Sequence, residues 1–490
     1  MNLKAMLEKT AAKHPGKTAI VLGERRISYA ELDGATNQVA NTLVEMGLSQ
    51  GDRVAIMLPN SPEFVTFYFG AIKAGGIATP LDIRHKIAEL ACLFDSCQPE
   101  VLVTASPVLE LIVPSLSRFD YIKHVIDAGN SHESRFPSYR QILATASARR
   151  IETEPAPDDI ATISYAGGPT NQPRGAMLSH HSLARAADIY ADGFRQTAED
   201  IAMLFALPMY HVFGLASVLL TSINKGSTIV IVPGTGRSIS SFLETIEREK
   251  GTMFLGVPYI YALANNVAKW EGVKNDLSSL RLCASAAAPI SPNIIREFKQ
   301  YYGLDIIDIW GLTEAVSHVT SPNTYPTARP GSCGQALPGW EIKIVDDNGR
   351  QLPAHQAGEI IVKGLIMAGY YNNPQATAEV IENDWLHTGD IGCIDEDGYL
   401  FITGRKKPML ILKGQNIYPS DIEQVLSTHP KIAAVRIVGI PDELRGEIVR
   451  AVIVLKPGET ATEQEIRQFC QERMADYKLP KQIIFTDTLP

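Results

Sequence analysis

Residues 164–180, SYAGGPTNQPRGAMLSH, are of types that could bind phosphate. The segment is rich in glycine and lies between two β-type runs, so its backbone N–H groups could point inward and hold phosphate oxygens. Thr170 would add a hydroxyl and Arg174 a positive charge. The segment is not a P-loop, because no Gly-Lys-Ser/Thr follows and no helix begins at its last glycine. An ordinary surface turn is the alternative interpretation.

A second candidate is DIWGLTEA, residues 308–315, where polar and aromatic side chains directly follow a β-type run. In a doubly wound sheet, ligands bind beyond the carboxyl ends of the strands. We therefore expect Trp310 to stack on a base, Thr313 to bond phosphate and Glu314 to hold a hard cation. The alternative is a strand-to-helix turn with a glutamate near the helix start.

Opposite charges occur in WLHTGDIGCIDEDGYLFITGRKK, residues 385–407. Asp390 lies in a glycine turn, and Arg405 follows at the end of a later β-type run. A carboxylate suits the hydroxyls of a ribose, and a guanidinium suits phosphate. Either residue alone would be an ordinary surface charge.

His211 lies in LPMYHVFG, inside the stretch 201–223, which has no formal charge and is long enough to span a bilayer. Pro208 and His211 in its middle argue against a membrane span. We expect a strand end, a polar loop and a core helix instead. A single histidine among apolar residues is more often a core residue than a catalyst.

Residues 1–400 alternate between strand and helix. DRVAIML at 52–58 is a β-type run, followed by a helix that Ser61 caps and Pro62 begins. The same alternation returns from residue 227 to residue 311. It predicts an α/β fold with doubly wound layers of largely parallel strands.

The pattern changes after about residue 330, where short strands are separated by Asn-Gly and Asp-Gly turns. This predicts a small antiparallel β subdomain at about 330–405. After GRKK the sequence reads as a separate α+β unit. We therefore predict an N-terminal domain at 1–405 and a C-terminal domain at 406–490.

The composition excludes several classes of protein. The 490 residues carry 45 Lys and Arg against 54 Asp and Glu, a net charge of −9, so the protein is not built to coat nucleic acid. Six cysteines are too few for a disulfide scaffold, and no Cys-x-x-Cys pair suggests a zinc ribbon. The first residues contain no long apolar run, so we expect no secretory signal and a cytoplasmic protein.

Together and in this order, the four segments resemble the adenylate-forming superfamily: acyl-CoA synthetases, nonribosomal adenylation domains and firefly-type luciferases. The resemblance spans essentially the whole chain. Its most specific parts are WLHTGD, DGYLFITGRKK, GQNIYPSDIE and GLTEA, and SAAAP at 285–289 also matches. The wording of MLSH, PMYHVFG and YPSDIE is most similar to the fatty and aryl acyl-CoA ligases.

The resemblance implies a two-step, AMP-forming ligase reaction. A carboxylate attacks the α-phosphate of ATP to give acyl-AMP and pyrophosphate, and the thiol of CoA then displaces AMP. The implied cofactors are ATP/AMP, CoA and Mg²⁺, and the implied partners are a small carboxylic acid and CoA. No nucleic acid and no integral membrane segment are expected, and a homodimer is left open. The C-terminal domain would rotate about a hinge between the two steps.

The resemblance also implies roles for individual residues. Thr170 and Arg174 would contact the β- and γ-phosphates, Thr313 the α-phosphate, and Glu314 the Mg²⁺. The residues implied to bind nucleotide or CoA are Thr170, Arg174, Ser285, Ala286, Trp310, Gly311, Asp390, Arg405 and Gly414. The implied catalytic residues are His211, Thr313, Glu314 and Arg405, and Lys407 matches the hinge.

The implied acyl pocket is apolar or aromatic and offers no cation to a second carboxylate. Its residues are Tyr210, Val212, Phe213, Val257, Ala287, Leu312, Ala336 and Leu337. These residues could accommodate a hydrophobic acid, and both a fatty acid and an aryl acid are possible substrates. A fatty acid substrate would place the enzyme in fatty acid metabolism.

Two features depart from the family pattern. Relatives read Ser-Gly-Thr-Thr-Gly-x-Pro-Lys-Gly where this chain has GGPTNQPRG from Gly167, so two hydroxyls and one backbone donor are lost. Relatives also continue into a Lys-Thr-x-x-Gly-Lys tail, so we expect the C-terminal domain to be truncated before its tail lysine. Two other functions therefore stay open: a ligase directed to a carrier protein, and a catalytically weak acyl- or nucleotide-binding protein.

Overall fold

The computed structural model describes residues 1–129, 135–167, 173–233, 239–321, 329–406, 409–412, 415–442 and 446–489. Within these ranges the protein is a mixed α/β structure, as its alternating pattern predicts. Two largely parallel sheets come first along the chain, and antiparallel sheets and a C-terminal unit follow.

One parallel sheet carries the strands that lead into the candidate site. Its neighbouring strands run parallel, except for the antiparallel edge hairpin of Thr18–Leu22 and Arg25–Ser28. The strands read as continuous apolar runs because helices cover both faces of such a sheet. In spatial order they are Ile306–Asp308, Leu282–Ser285, Met253–Gly256, Ile201–Phe205, Thr228–Val232, Thr18–Leu22 and Arg25–Ser28.

The second sheet is also parallel except at one edge. There Ile160–Gly167 and Arg174–Ser179 pair as an antiparallel hairpin, with Gly167 opposite Arg174. The predicted phosphate loop is therefore the connection of a hairpin. In spatial order the strands are His124–Asp127, Val101–Thr104, Arg53–Met57, Ile77–Pro80, Ile160–Gly167 and Arg174–Ser179.

Helices separate these strands and begin at capping residues. The Ser61 hydroxyl accepts a hydrogen bond from the N–H of Phe64, and Pro62 is the first helical residue, as predicted. The helices of the described residues are Leu3–Lys13, Tyr29–Glu45, Pro62–Lys73, Ile87–Cys97, Val108–Ile112, Tyr139–Thr145, His180–Gly193, Val212–Gly214, Thr221–Lys225, Ile239–Glu249, Pro258–Glu271, Pro292–Tyr302, Pro374–Ala378, Pro419–Ser427 and Glu463–Gln471. Short 3₁₀ turns cover Val113–Arg118, Thr313–Ala315 and Asp476–Lys478.

The uncharged stretch 201–223 is a strand, a loop and a helix, as predicted. The helical part runs from Val212–Gly214 through a π-helical segment, Leu215–Leu220, into Thr221–Lys225. None of the helices in the ranges described combines the length and the apolar character that crossing a membrane requires.

The predicted antiparallel β region is present. Strand Trp385–Ile394 lies at its centre and pairs on both sides. The strands of this sheet are Trp340–Val345, Gly358–Gly364, Ile381–Glu382, Trp385–Ile394 and Leu400–Arg405. Two small hairpins, Gly311–Leu312 with Ser317–His318 and Thr320–Ser321 with Gln335–Ala336, connect it to the parallel layers.

The C-terminal unit has its own sheet and its own apolar core. Helices Pro419–Ser427 and Glu463–Gln471 contribute core residues such as Ile422 and Ile466, which are fully buried. The strands are Leu410–Leu412, Gln415–Ile417, Ile432–Asp442, Gly446–Leu455 and Gln482–Phe485. A separate core lets this unit keep its structure independently of its position against the rest of the chain.

Candidate active site

The carboxyl ends of two neighbouring parallel strands bring two predicted segments together. Ser285 and Asp308 are register partners at these ends, and the N–H of Ile309 donates to the carbonyl of Ser285 at 2.9 Å. Ser285 and Ala286 therefore lie beside the segment that carries Trp310. This is the edge at which ligands of parallel sheets bind.

Thr313 and Glu314 lie in a tight 3₁₀ turn between two paired strands. Gly311 and His318 are opposite each other in this hairpin, and a β-carbon on Gly311 would come within 1.8 Å of the Ser317 carbonyl oxygen. Only glycine fits there. Val316 and Ser317, with φ of 67° and 118°, hold backbone conformations that side-chain-bearing residues rarely adopt.

A buried polar network supports this turn, and sequence reasoning missed it. The Ser217 hydroxyl lies 2.8 Å from the Ser317 hydroxyl and 2.9 Å from Nδ1 of His318. The His318 ring stacks on Tyr190 with ring centres 3.6 Å apart, and the Tyr190 hydroxyl donates to the Val316 carbonyl. Burial lowers the pKa of His318 to about 3, so its ring is neutral. The network fixes the turn without adding charge.

The Glu314 carboxylate is hydrogen-bonded to Tyr370, and Arg174 contacts the same tyrosine. Its Oε1 accepts a hydrogen bond from the Tyr370 hydroxyl at 2.7 Å. The guanidinium of Arg174 lies over the Tyr370 ring, 5.5 Å from its centre, and bonds Glu379 at 3.1 Å. The structure therefore brings Arg174 and Glu314 to one tyrosine, with Arg174 over its ring and Glu314 at its hydroxyl.

A Mg²⁺ ion fits this part of the site only in company with a nucleotide. Among the residues described, no three His, Cys, Asp or Glu side chains are grouped to hold a metal. Mg²⁺ in nucleotide enzymes takes one or two carboxylates and completes its shell with phosphate oxygens and water. Glu314 can supply such a carboxylate.

Asp390 and Arg405 are cross-strand partners in the antiparallel sheet. Nε of Arg405 lies 2.5 Å from Oδ1 of Asp390, and the indole N–H of Trp310 donates to Oδ2 at 2.9 Å. Asp390 is only 2% exposed. Burial raises the pKa of Asp390, while the Arg405 charge and the indole N–H oppose that rise. Three residues from two of the predicted segments thus form one cluster, in which the indole N–H of Trp310 is engaged. Trp310 is buried in the main core, and its stacking on a base stays a prediction.

His211 lies just before the short helix Val212–Gly214 and caps it. Its Nδ1 accepts a hydrogen bond from the N–H of Phe213 at 3.2 Å. Burial lowers the pKa of His211 to about 4, so the ring is neutral near pH 7. Because Nδ1 is an acceptor, the single ring proton is on Nε2. His211 is therefore a hydrogen-bond donor through Nε2.

A cavity of about 170 Å³ lies between the C-terminal unit and the rest of the chain. It is lined from both sides by polar and apolar groups. The lining includes Tyr210, His211, Val257, Ala287, Gln415 and Tyr477. Of the predicted acyl-pocket residues, Tyr210, Val257 and Ala287 reach this cavity. Val212, Phe213, Leu312 and Leu337 instead pack in or against the main core, and Ala336 pairs with Thr320.

Several charged residues at this cavity were missed from the sequence, namely Asp82, Arg84, Glu89, Asp421 and Lys478. Asp82 and Arg84 follow strand Ile77–Pro80, and Arg84 donates to both carboxylate oxygens of Asp82, at 2.9 and 2.6 Å. Burial alone would raise the pKa of Asp82, but Arg84 holds it below its usual value. Arg84 also bonds the Tyr210 hydroxyl at 2.5 Å. The sequence predicted no cation in the acyl pocket, because only its apolar residues were identified. The structure shows that the Arg84 guanidinium lies at the cavity, paired with Asp82.

Three predicted residues, Thr170, Lys407 and Gly414, lie outside the described residues. Their roles stay predictions.

The whole chain matches proteins of one family. The model for AMP-binding enzymes matches residues 7–371, and the model for the C-terminal domain of AMP-binding enzymes matches residues 421–490. A long-chain-fatty-acid–CoA ligase of Bacillus subtilis (strain 168) is 33% identical, over 100% of this chain and 91% of its own. An indoleacetate–CoA ligase of Aromatoleum aromaticum is 34% identical, over 100% and 95%.

A solved structure covers both units of this chain. It is a double mutant of o-succinylbenzoate CoA synthetase from Bacillus subtilis, bound with its product analogue. It is 28% identical, with a TM-score of 0.86 over 99% of this chain and 95% of that one. The fold over both units is therefore similar to that of this CoA synthetase.

Proposed function

We propose that this chain, which belongs to the family of AMP-binding enzymes and is an acid–thiol ligase, joins a hydrophobic monocarboxylic acid to CoA. Its relatives are CoA ligases, which supports the use of ATP and CoA. Those relatives act on acids as different as long-chain fatty acids and indoleacetate. The choice of acid therefore has to be argued from the cavity itself.

The observation that carries the proposal is the cavity shared by the two units. His211 reaches it from the N-terminal side, and Gln415 and Tyr477 reach it from the C-terminal unit. The nucleotide cluster of Asp390, Arg405 and Trp310 lies entirely in the N-terminal part. The two steps need a site that binds the nucleotide and a cleft that admits the thiol of CoA.

In the first step, a carboxylate oxygen of the acid attacks the α-phosphorus, and the bond to pyrophosphate breaks. Asp390 and Arg405 would hold the ribose, and Thr313 and Arg174 would bond phosphate oxygens. A bound Mg²⁺, held through Glu314, would offset charge on the leaving pyrophosphate. The chain supplies positioning and charge, and no protein nucleophile is required.

In the second step, the CoA sulfur attacks the acyl carbon and the bond to AMP breaks, with release of the thiol proton. Negative charge develops on the acyl oxygen as the sulfur adds. The Nε2–H of His211 is a donor suited to that oxygen. A neutral histidine performs this task without titrating near pH 7, because burial keeps its pKa at about 4.

The cavity favours an acid with a single carboxylate and an apolar body. Tyr210, Val257 and Ala287 offer it aromatic and aliphatic surface. Beside Tyr210, the charges of Asp82 and Arg84 neutralise each other. A second carboxylate on the substrate would meet a guanidinium that is already paired with a carboxylate.

The test is a panel of straight-chain, aryl and dicarboxylic acids, with AMP release measured with and without CoA. We expect CoA-dependent AMP release with fatty or aryl monocarboxylic acids and none with dicarboxylic acids. Pyrophosphate exchange without CoA-dependent turnover would favour the carrier-protein-directed ligase. Binding of acid or nucleotide without either reaction would favour the weak binding protein.

A further inference from the structure

A buried ion pair joins the C-terminal unit to helix Ile87–Cys97 beside the cavity, and a more exposed pair, Lys86 with Asp476, lies next to it. Glu89 lies in the first turn of helix Ile87–Cys97, and its Oε1 accepts from Nζ of Lys478 at 2.6 Å. Its Oε2 accepts from the backbone N–H of Ala475 at 3.0 Å. The side chains of Glu89 and Lys478 are 4% and 9% exposed. A buried carboxylate therefore holds two donors of the other unit.

The electrostatics of this contact show that both charges are needed. Burial would raise the pKa of Glu89, but His85 and Lys478 lower it to about 2, so the carboxylate is ionised. Asp421 also lies 3.8 Å from Nζ of Lys478. Removing one partner of a buried pair leaves the other charge without compensation, which is costly. The contact exists only while the C-terminal unit lies in this position.

The ion pair lies next to the groups that close the cavity. Tyr477, the neighbour of Lys478, has its ring 4.6 Å from the guanidinium of Arg84. Arg84 in turn bonds Tyr210, which precedes His211. Holding Lys478 therefore holds Tyr477 over the cavity.

We propose that Glu89 is a positioning residue for thioester formation: with Lys478 and the Ala475 amide it forms a latch that keeps the C-terminal unit over the cavity. This rests on the proposed function, in which CoA reacts in that cavity. Glu89 is among the residues that line the cavity, and the role proposed for it acts through Lys478. Of the groups assigned to acyl-AMP formation, Asp390 and Glu314 are held by partners within the N-terminal part. Arg405 bonds Asp390 there and also donates to the sulfur of Met409, and neither contact involves Glu89 or Lys478. Loss of the latch should therefore spare that step.

The test measures the two half-reactions separately in Glu89→Gln, in Lys478→Met and in the double variant. We expect kcat/KM for CoA, with supplied acyl-AMP, to fall about tenfold to a hundredfold in each single variant. Acid-dependent pyrophosphate exchange should stay within about twofold. The double variant should lose no more than the worse single variant, because both changes break one contact.

A matched control separates the latch from helix capping. Glu89 also accepts from the N–H of Lys86, and Glu31 makes the same kind of cap with Ser28 at helix Tyr29–Glu45. Glu31→Gln removes the same charge from such a cap, whose amide oxygen can still accept the hydrogen bond, without touching the C-terminal unit. We expect it to leave both half-reactions unchanged. An equal loss in both half-reactions of Glu89→Gln, together with a lower Tm, would assign Glu89 a purely structural role.

A readout that needs no activity keeps the latch separate from the proposed function. Hydrogen exchange of the Ala475 amide should be faster in Lys478→Met than in the wild type, because the docked position becomes less populated. Unchanged exchange and unchanged CoA kinetics would overturn the latch. A wild type that makes neither acyl-AMP nor thioester, yet shows the exchange difference, would overturn the proposed function and leave the latch supported.

Discussion

The cluster of Asp390, Arg405 and Trp310 and the cleft between the units hold their charges in different ways. Asp390 is paired with Arg405 across one β-ladder, and Trp310 reaches it from the adjacent segment of the same unit. Glu89 is paired with Lys478, which comes from the other unit. Asp390 and Arg405 are paired whenever the N-terminal part is folded. Glu89 and Lys478 are paired only when the C-terminal unit lies in this position, so their pairing both indicates and stabilises that position.

The largest effect should come from the turn on the nucleotide side. We expect Glu314→Gln to lower acyl-AMP formation by about 10²–10³-fold, because an amide cannot replace the charge that a carboxylate offers to Mg²⁺. The measurement is pyrophosphate exchange at limiting Mg²⁺. The thioester half-reaction with supplied acyl-AMP should be spared. Normal pyrophosphate exchange in this variant would show that Glu314 does not hold Mg²⁺ and only bonds Tyr370.

A smaller loss should follow from the β-ladder pair. Asp390→Asn and Arg405→Gln should each weaken ATP binding by about tenfold to a hundredfold, the range for a lost charged hydrogen bond. Calorimetric titration with ATP measures this effect. The control is Lys406→Met, because Lys406 is the next residue and pairs with Glu359 instead. Equal weakening in the control would remove the special role of the pair.

The indole edge of Trp310 should contribute less again. Trp310→Phe keeps an aromatic face but loses the N–H that donates to Asp390. We expect ATP affinity to fall about tenfold or less. Trp310→Leu, which loses both face and edge, should bind ATP more weakly than Trp310→Phe. If the two variants bind equally, stacking on a base contributes nothing at this position.

The last prediction concerns the pH dependence of stability, through the neutral His318, and not ligand binding. For His318 the folded-state pKa of about 3 lies below the ordinary 6.5, so the unfolded chain binds the proton more readily as pH falls. Stability is therefore lost on acidification below about pH 6.5, by up to about 2 kcal/mol at pH 5. His318→Phe should lose less stability between pH 7 and pH 5 in denaturant melts. The exposed His181 gives a control, since its replacement by Gln should leave that difference unchanged.

Much of this fold could be predicted because its signals lie close together in the sequence. The alternating strands and helices, the Ser61 cap and the β subdomain each follow from patterns within a short window. Asp390 and Arg405 could be paired because they lie in adjacent strands of one meander. Arg174 and Glu314 were predicted individually, but Tyr370 between them was not.

The missed contacts are those that packing alone creates. Glu89 and Lys478 are 389 positions apart, and Ser217 and His318 are 101 apart. No sequence periodicity links such residues, because their proximity depends on how the folded helices and strands pack against each other. Asp82 and Arg84 are the exception, since they directly follow a parallel strand, where ligand-facing residues are expected.

The pairing of Asp82 with Arg84 also bears on how the range of acids could diverge among descendants of this chain. At this end of the cavity the charges of Asp82 and Arg84 cancel each other. Under the proposed function, a change at Asp82 alone would leave the Arg84 guanidinium unpaired beside the acid without rebuilding any apolar wall. One substitution could therefore favour a doubly charged acid, which makes this pair a point where selection could alter substrate choice while the reaction stayed the same.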